Sequence, residues 1–304
     1  MKISIIGSGR VGSSVALNCC IRELGDVLLL DIVDGLPQGE SLDINHQLAE
    51  LGNDCHVKGS NDYQEMKNSD FVVVVAGIGR KPGMTRMDLL KTNAGIVKDV
   101  CNKIRTYSPS STVIVVTNPL DPLTYLALKI IDSHREKVMG MGGMLDLSRF
   151  KEYISSATGM SRSSVQAMVI GEHGENMLPL VRFSSISGIP LSSFINNAQS
   201  NEFVTKTRNV AAEVISLKGA TVYAPGNAVS AMIEAIIRNR RAILPVSALL
   251  EGEYGCDDVC IGVPCVLGGE GIEKIIELDL NPEEKESFTR GVQSVERAIR
   301  ELPL

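Results

Sequence analysis

Short apolar runs separated by helical patterns organise the first half of the chain. The runs are Ile3–Ile6, Val27–Leu30, Phe71–Ala76, Val113–Val116 and Val138–Met141. Each is rich in Val, Ile or Leu with little polar alternation, which is how strands covered on both faces read. Between them Leu89, Leu90, Ile96, Val97, Val100 and Ile104 recur at helical spacing, which predicts an amphipathic helix. Asp121 before Pro122 predicts another helix start, with aspartate as the cap and proline in the first helical position. Strand, helix, strand in repetition predicts a doubly wound parallel α/β sheet.

After Gly143 the texture changes. Helical segments lengthen (Leu147–Thr158, Val204–Leu217, Asn227–Asn239), and strand signals gather at Val165–Ile170, Ile243–Leu249 and Asp258–Leu267. This predicts a mixed α+β second domain over 144–304, following a first domain over 1–143. No linker rich in Pro, Gly or Ser separates them, so close packing is expected. A closing helix should follow Asn281-Pro282-Glu283-Glu284, a capping residue with proline and acids in the first turn.

Composition narrows the function classes. With 44% hydrophobic residues in 304, the chain has enough apolar side chains for a sizeable core. A formal net charge of −6 offers no broad attraction to nucleic acid or anionic lipid, so no such partner is expected. No stretch approaches the roughly 18 apolar residues of a membrane span. Met1-Lys2 leads straight into Ile3–Ile6, too short a run for a secretory signal, so a cytoplasmic protein is expected. The odd count of seven cysteines suits a reducing compartment. Cys256, Cys260 and Cys265 lack a CxxC pair, and Val259–Val266 reads as a strand pair, so no metal site is expected there.

Gly7-Ser8-Gly9-Arg10-Val11-Gly12 follows the first strand and opens a helix. In such a turn Gly7 permits the sharp bend, Gly9 admits a pyrophosphate close to the backbone, and Gly12 lets the helix pack near the sheet. The helix N-terminus then offers free N–H groups and partial positive charge to the phosphates. Asp31 ends the second strand, where a carboxylate accepts both ribose hydroxyls of NAD and repels the 2′-phosphate of NADP. A Rossmann-type nucleotide domain that favours NAD over NADP is the reading.

Four further segments stand out. They are Arg80-Lys81-Pro82-Gly83-Met84-Thr85-Arg86, Thr117-Asn118-Pro119, Asp146-Leu147-Ser148-Arg149-Phe150 and Gly171-Glu172-His173-Gly174. Singly, each has an ordinary structural explanation. In this order, after this glycine loop, they resemble the lactate/malate dehydrogenase superfamily. The similarity runs nearly the whole chain, through Lys218-Gly219-Ala220-Thr221 and Val263-Pro264-Cys265-Val266-Leu267-Gly268, and is greatest to malate dehydrogenases built like lactate dehydrogenases.

The chemistry suits the residues. Oxidising a secondary alcohol removes a hydride and a proton, and histidine, with a pKa near 6.5, exchanges protons near neutral pH. The resemblance implies that His173 is the acid–base and Asp146 its carboxylate partner. It further implies that Arg149 anchors the substrate's C1 carboxylate, with the planar fork that suits such a group. Asn118 is implied to bond the reacting oxygen and to lie near the nicotinamide ribose, and Arg86 to polarise the ketone when a lid over about Gly77–Met87 closes. Arg10, Val11, Asn93 and Thr117 join Gly7, Gly9, Gly12, Asp31 and Asn118 as implied cofactor contacts. A homodimer or homotetramer is implied as well, with the helix Gly39–Leu51 as a contact surface.

Arg80 separates the dicarboxylate from the monocarboxylate reading. In this family the corresponding position tends to be arginine in malate enzymes and glutamine in lactate enzymes. Oxaloacetate brings a second carboxylate into the pocket, and an unpaired buried charge costs about 3–5 kcal/mol. Malate oxidation to oxaloacetate is therefore the expected activity. A lactate or broader 2-hydroxy acid dehydrogenase shares the scaffold and remains the alternative. An NAD-binding sensor module would need the glycine loop but not His173, Asp146 and the arginines, and an NAD- and metal-dependent glycosidase would need a metal-binding Cys/His pair.

Overall fold

In the computed structural model, which describes residues 1–79 and 83–303, the chain begins as the apolar runs predict. The first half runs β1 Lys2–Ile6, α1 Arg10–Ile21, β2 Asp26–Leu30, α2 Leu36–Leu51, β3 Val57–Ser60, β4 Phe71–Val74, α3 Arg86–Tyr107, β5 Thr112–Val115, α4 Leu120–Ile131 and β6 Val138–Gly140. The second half opens with α5 Gly143–Thr158, β7 Val165–Gln166, β8 Val169–Gly171, β9 Met177–Pro179, β10 Ser185–Ile186 and β11 Ile189–Pro190. It closes with α6 Asn197–Lys218, α7 Tyr223–Ile237, β12 Ala242–Glu251, β13 Asp257–Gly268, β14 Gly271–Ile275 and α8 Pro282–Ile299.

The first six strands lie in the order 3-2-1-4-5-6, and every pairing among them is parallel. Successive strand residues point to opposite faces, so Ile3 and Ile5 join one apolar cluster while Ile6 joins the other. The first cluster takes Val15 and Cys19 from α1, Ile44 and Leu48 from α2 and Met232 from α7. The second takes Leu90 and Val97 from α3 and Leu123 and Leu126 from α4. Burial on both faces is why these strands carry unbroken apolar runs. The chain order reverses between β1 and β4, which opens a crevice at the carboxyl ends of those two strands.

The sheet continues into the second half. Ser247 of β12 pairs with Gly140 of β6, and β13, β8 and β9 follow in antiparallel order, with β14 beside β13. Strands β7, β10 and β11 form a small separate sheet. A third apolar cluster, with Phe150 and Ile154 of α5 and Phe203 of α6, underlies that part.

Several expectations change. Asp121 does not cap a helix: α4 begins at Leu120 behind Pro119, and Asp121 sits buried in its first turn. The segment read as a strand pair at Val259–Val266 is one continuous strand along β12, with Pro264 opposite Pro245. Cys260 and Cys265 point into opposite clusters, so they do not face a common site. Helix α5 starts four residues before the predicted Leu147, which puts Asp146 and Arg149 on the same helix, one turn apart. Edge strand β3 escaped the pattern because only Val57 of Val57-Lys58-Gly59-Ser60 is apolar. The helix after Asn281 does form as expected, with a reciprocal cap between Asn281 and Glu284.

Candidate active site

The loop after β1 is held by close backbone contact. Gly7 adopts φ 105°, and a side chain there would meet Ala76 N at 2.7 Å. A Cβ on Gly12 would fall 1.9 Å from Gly7 O, so Gly12 makes room for the loop's own carbonyl, with Ile5 of the sheet further off at 3.4 Å. Gly9 differs, because a Cβ there meets nothing within 4 Å. Gly9 also stands at the N-cap of α1, whose cap no side chain satisfies, so free N–H groups border open space. The Ser8 hydroxyl beside it is fully buried and has no hydrogen-bond partner among the described residues.

Asp31 closes this cradle from the end of β2. Its Oδ2 accepts the Ser8 N–H at 2.7 Å and its Oδ1 the Val33 N–H at 3.0 Å. Arg10 extends from α1 to donate to the Lys218 carbonyl at the end of α6, at 3.2 Å, and Val11 is partly buried behind it.

The next strands add their own loops. After β5, the Thr117 hydroxyl donates to the Ala76 carbonyl at 2.8 Å, and a Cβ on Gly77 would press 2.5 Å from Thr117 Cγ2. Asn93 of α3 is fully buried and ties these loops together. Its Oδ1 accepts the Ile78 N–H at 2.8 Å, and its Nδ2 donates to the Ile78 carbonyl at 3.1 Å and to the Asn118 carbonyl at 2.6 Å. Both amide hydrogens of Asn93 thus go to backbone carbonyls, which holds the two loops together. Asn118 itself is exposed at the end of β5.

A histidine–carboxylate pair lies beyond β6. His173 Nδ1 stands 2.7 Å from Asp146 Oδ2, and Arg149 Nη1 donates to Asp146 Oδ1 at 3.0 Å. One carboxylate, 1% exposed, thus orders both the imidazole and the guanidinium. Gly142 allows the approach, since a Cβ there would meet His173 Cγ at 2.8 Å, while Gly143 makes room for Pro245 of β12 at 2.9 Å. Burial alone would push the His173 pKa down, but the Asp146 charge and hydrogen bond, with a contribution from Asp121, outweigh it and raise the pKa above 6.5.

Arg86 opens α3, behind a reciprocal cap between Thr85 and Asp88. Its guanidinium is paired with Glu175, two residues beyond His173, and both side chains are exposed. Arg80, with Lys81 and Pro82, lies outside the described residues.

Two residues were missed in the sequence. Asp121 accepts the His173 main-chain N–H through Oδ2 at 2.7 Å. The sequence signal was a carboxylate inside a largely apolar helix, where an unpartnered buried acid is costly. Glu175, the partner of Arg86, had no signal, since 89 positions separate the two.

Gly7, Gly77, Thr117 and Gly142 follow the carboxyl ends of β1, β4, β5 and β6, four strands adjacent in one sheet. A phosphate cradle, a polar crevice and a carboxylate-held histidine on that edge define a nucleotide-linked oxidoreductase. The family model described as lactate/malate dehydrogenase, NAD binding domain, matches residues 1–140, and that described as lactate/malate dehydrogenase, alpha/beta C-terminal domain, matches 143–302. A malate dehydrogenase of Symbiobacterium thermophilum is 44% identical over 99% of this chain and 96% of its own. The crystal structure of Cryptosporidium parvum malate dehydrogenase superposes with a TM-score of 0.96 at 40% identity, covering 99% of this chain and 98% of that one. A lactate dehydrogenase of the same organism, complexed with lactic acid and β-nicotinamide adenine dinucleotide, gives 0.95 at 38% identity, covering 99% and 97%. The chain belongs to the lactate/malate dehydrogenase family.

A nicotinamide cofactor fits the cradle, since Gly9 leaves open space beside free N–H groups and a buried Ser8 hydroxyl awaits a partner. Gly9→Val should therefore raise the KM for NADH at least about tenfold, by filling the space a pyrophosphate occupies. Its melting temperature should stay near the parent's, because the added Cβ touches no protein atom within 4 Å. Gly12→Ala should behave oppositely and lower the melting temperature, since its Cβ overlaps Gly7 O. Thermal melts beside NADH titrations separate the two effects.

Proposed function

We propose that this family member is an NAD-dependent malate dehydrogenase, interconverting (S)-malate and oxaloacetate. The observation that carries the reading is the single Asp146 carboxylate shared by His173 and Arg149. It holds a proton acceptor and a carboxylate anchor in fixed relation, as oxidation of a 2-hydroxy acid requires. The bound nicotinamide supplies the hydride chemistry.

The protein residues supply the rest. With Nδ1–H bonded to Asp146, Nε2 of His173 is free to take the hydroxyl proton of malate. The raised pKa keeps the ring able to return that proton in the reverse direction. Arg149 receives the C1 carboxylate as a fork. Asn118 hydrogen-bonds the reacting oxygen, and Arg86 polarises it after leaving Glu175. That exposed ion pair is worth about 0–1 kcal/mol and offers little resistance.

Arg80 pairs with the second carboxylate in this reading. Arg80→Gln should lower kcat/KM for oxaloacetate by about 10²-fold and raise it for pyruvate, as an unmatched buried charge costs about 3–5 kcal/mol. Unchanged oxaloacetate kinetics in that variant would overturn the dicarboxylate assignment. For the cofactor, the Asp31 carboxylate at the rim of the glycine loop supports NAD over NADP. Parallel assays with NADH and NADPH test it, and equal rates would remove that preference.

The division at residue 143 is a functional one in this proposal, with the nucleotide cradle before it and Asp146, Arg149 and His173 after it. A homodimer or homotetramer is part of the same reading, following the resemblance to the family. All seven cysteines are free thiols, which supports a cytoplasmic location. No described helix is long and apolar enough to cross a membrane.

A further inference from the structure

Asp121 has an unusual setting for a carboxylate. It is 1% exposed, in the first turn of a helix whose remaining residues are nearly all buried and apolar. It serves no cap, because the α4 cap position belongs to Pro119. Its Oδ2 instead reaches 52 residues along the chain to accept the His173 N–H at 2.7 Å. Its Oδ1 closes no bond of standard geometry among the described residues, and neither does the hydroxyl of Ser247, which is also 1% exposed. Ser247 belongs to β12, at the one point where that strand joins the parallel sheet, opposite Gly140.

We propose that Asp121 is a second positioning carboxylate for His173, fixing its main chain and stabilising its imidazolium form. The inference rests on His173 being the acid–base group, and it adds a residue that acts through it.

The surrounding charges have definite signs. Facing His173 are Asp146 and Arg149 from α5 and Asp121 from α4, while the carboxylate of neighbouring Glu172 is taken by Asn176 and Ser294. Facing Asp121 are His173, Glu172, Ser247 and the Cys260 thiol of β13. Burial pushes the Asp121 pKa up to about 6, against the Ser247 hydroxyl, the His173 N–H and the His173 charge, which lower it, while Glu172 raises it. Asp121 is thus mostly ionised at neutral pH. Its negative charge favours imidazolium, so removing it must lower the His173 pKa. Oxaloacetate reduction uses the protonated ring and should then fade at lower pH than in the parent.

Asp121→Asn separates charge from hydrogen bonding, since the amide oxygen still accepts the His173 N–H. Histidine titration by ¹⁵N NMR reads the ring directly, and His173→Asn identifies its signal among the four histidines. The expected result for Asp121→Asn is a fall of at least about half a pH unit in the His173 pKa, with kcat/KM for oxaloacetate reduced about threefold or more at pH 8. The KM for NADH should not change. Ser247→Ala should move the His173 pKa in the same direction by less, and it carries the test alone should Asp121→Asn not fold. A His173 titration matching the parent's in the folded variants overturns the proposal. Full turnover by His173→Asn would instead overturn the acid–base reading on which it rests, so the two failures are distinct.

Discussion

His173→Asn should lose at least about 10³-fold in kcat while binding NADH as the parent does. The variant keeps the main-chain N–H that Asp121 accepts at 2.7 Å, and its amide still offers a group to Asp146. The loop should therefore stay in place, and the loss should be chemical. Nothing else at position 173 cycles a proton near neutral pH, as asparagine has no titrating group there. Fluorescence titration with NADH, beside steady-state assays in both directions, checks the prediction. Retained turnover, or lost NADH binding in a folded variant, would put the proton transfer on another residue.

Asp146→Asn should be nearly as damaging, for two reasons that separate experimentally. His173 Nδ1 and Arg149 Nη1 both rest on this carboxylate, at 2.7 and 3.0 Å. An amide in its place removes the charge that favours imidazolium and presents an N–H to one of two groups that need an acceptor. In a serine protease, the same change beside the catalytic histidine costs about 10⁴ in kcat through the wrong tautomer. Here kcat/KM for oxaloacetate should fall about 10³-fold or more, with the KM rising because Arg149 loses the acid that orients it. The His173 pKa should also drop, so the residual reduction rate should decline at lower pH than in the parent. A variant with lower kcat but unchanged KM would mean that Arg149 is held by other contacts.

These predictions concern residues that differed in how openly the sequence announced them. Gly7 to Gly12 and Asp31 were legible because their roles are local: a turn after one strand, a helix start, and the end of the next strand. Asp146 and Arg149 were three positions apart, which places them on one helix face once a helix is assigned. His173 came into view through its flanking segment and the family resemblance, and its bond to Asp146 spans only 27 positions.

Other features depended on distant partners. Asp121 preceding Pro122 met every local criterion for a cap, yet the helix began at Leu120 and the carboxylate went to the His173 backbone. Arg86 was visible as a loop arginine, but its present partner Glu175 was not. Asn93 stood out as a polar position in an amphipathic helix, but its bonds to the loops at Ile78 and Asn118 were not legible. Prolines 245 and 264, which locally suggest interruption, turned out to face each other across two long paired strands.

The primary structure alone determined the strand–helix rhythm, the phosphate turn and the residue types able to move a proton and bind an acid. Those properties follow from side-chain periodicity and short-range backbone geometry, which are encoded within a few turns of chain. The tertiary structure alone decided the 3-2-1-4-5-6 strand order, the continuation of the sheet through Ser247 and Gly140, and the meeting of Asp121 with His173. Each of these depends on which buried surfaces pack together, and burial is a property of the whole fold rather than of any segment in it.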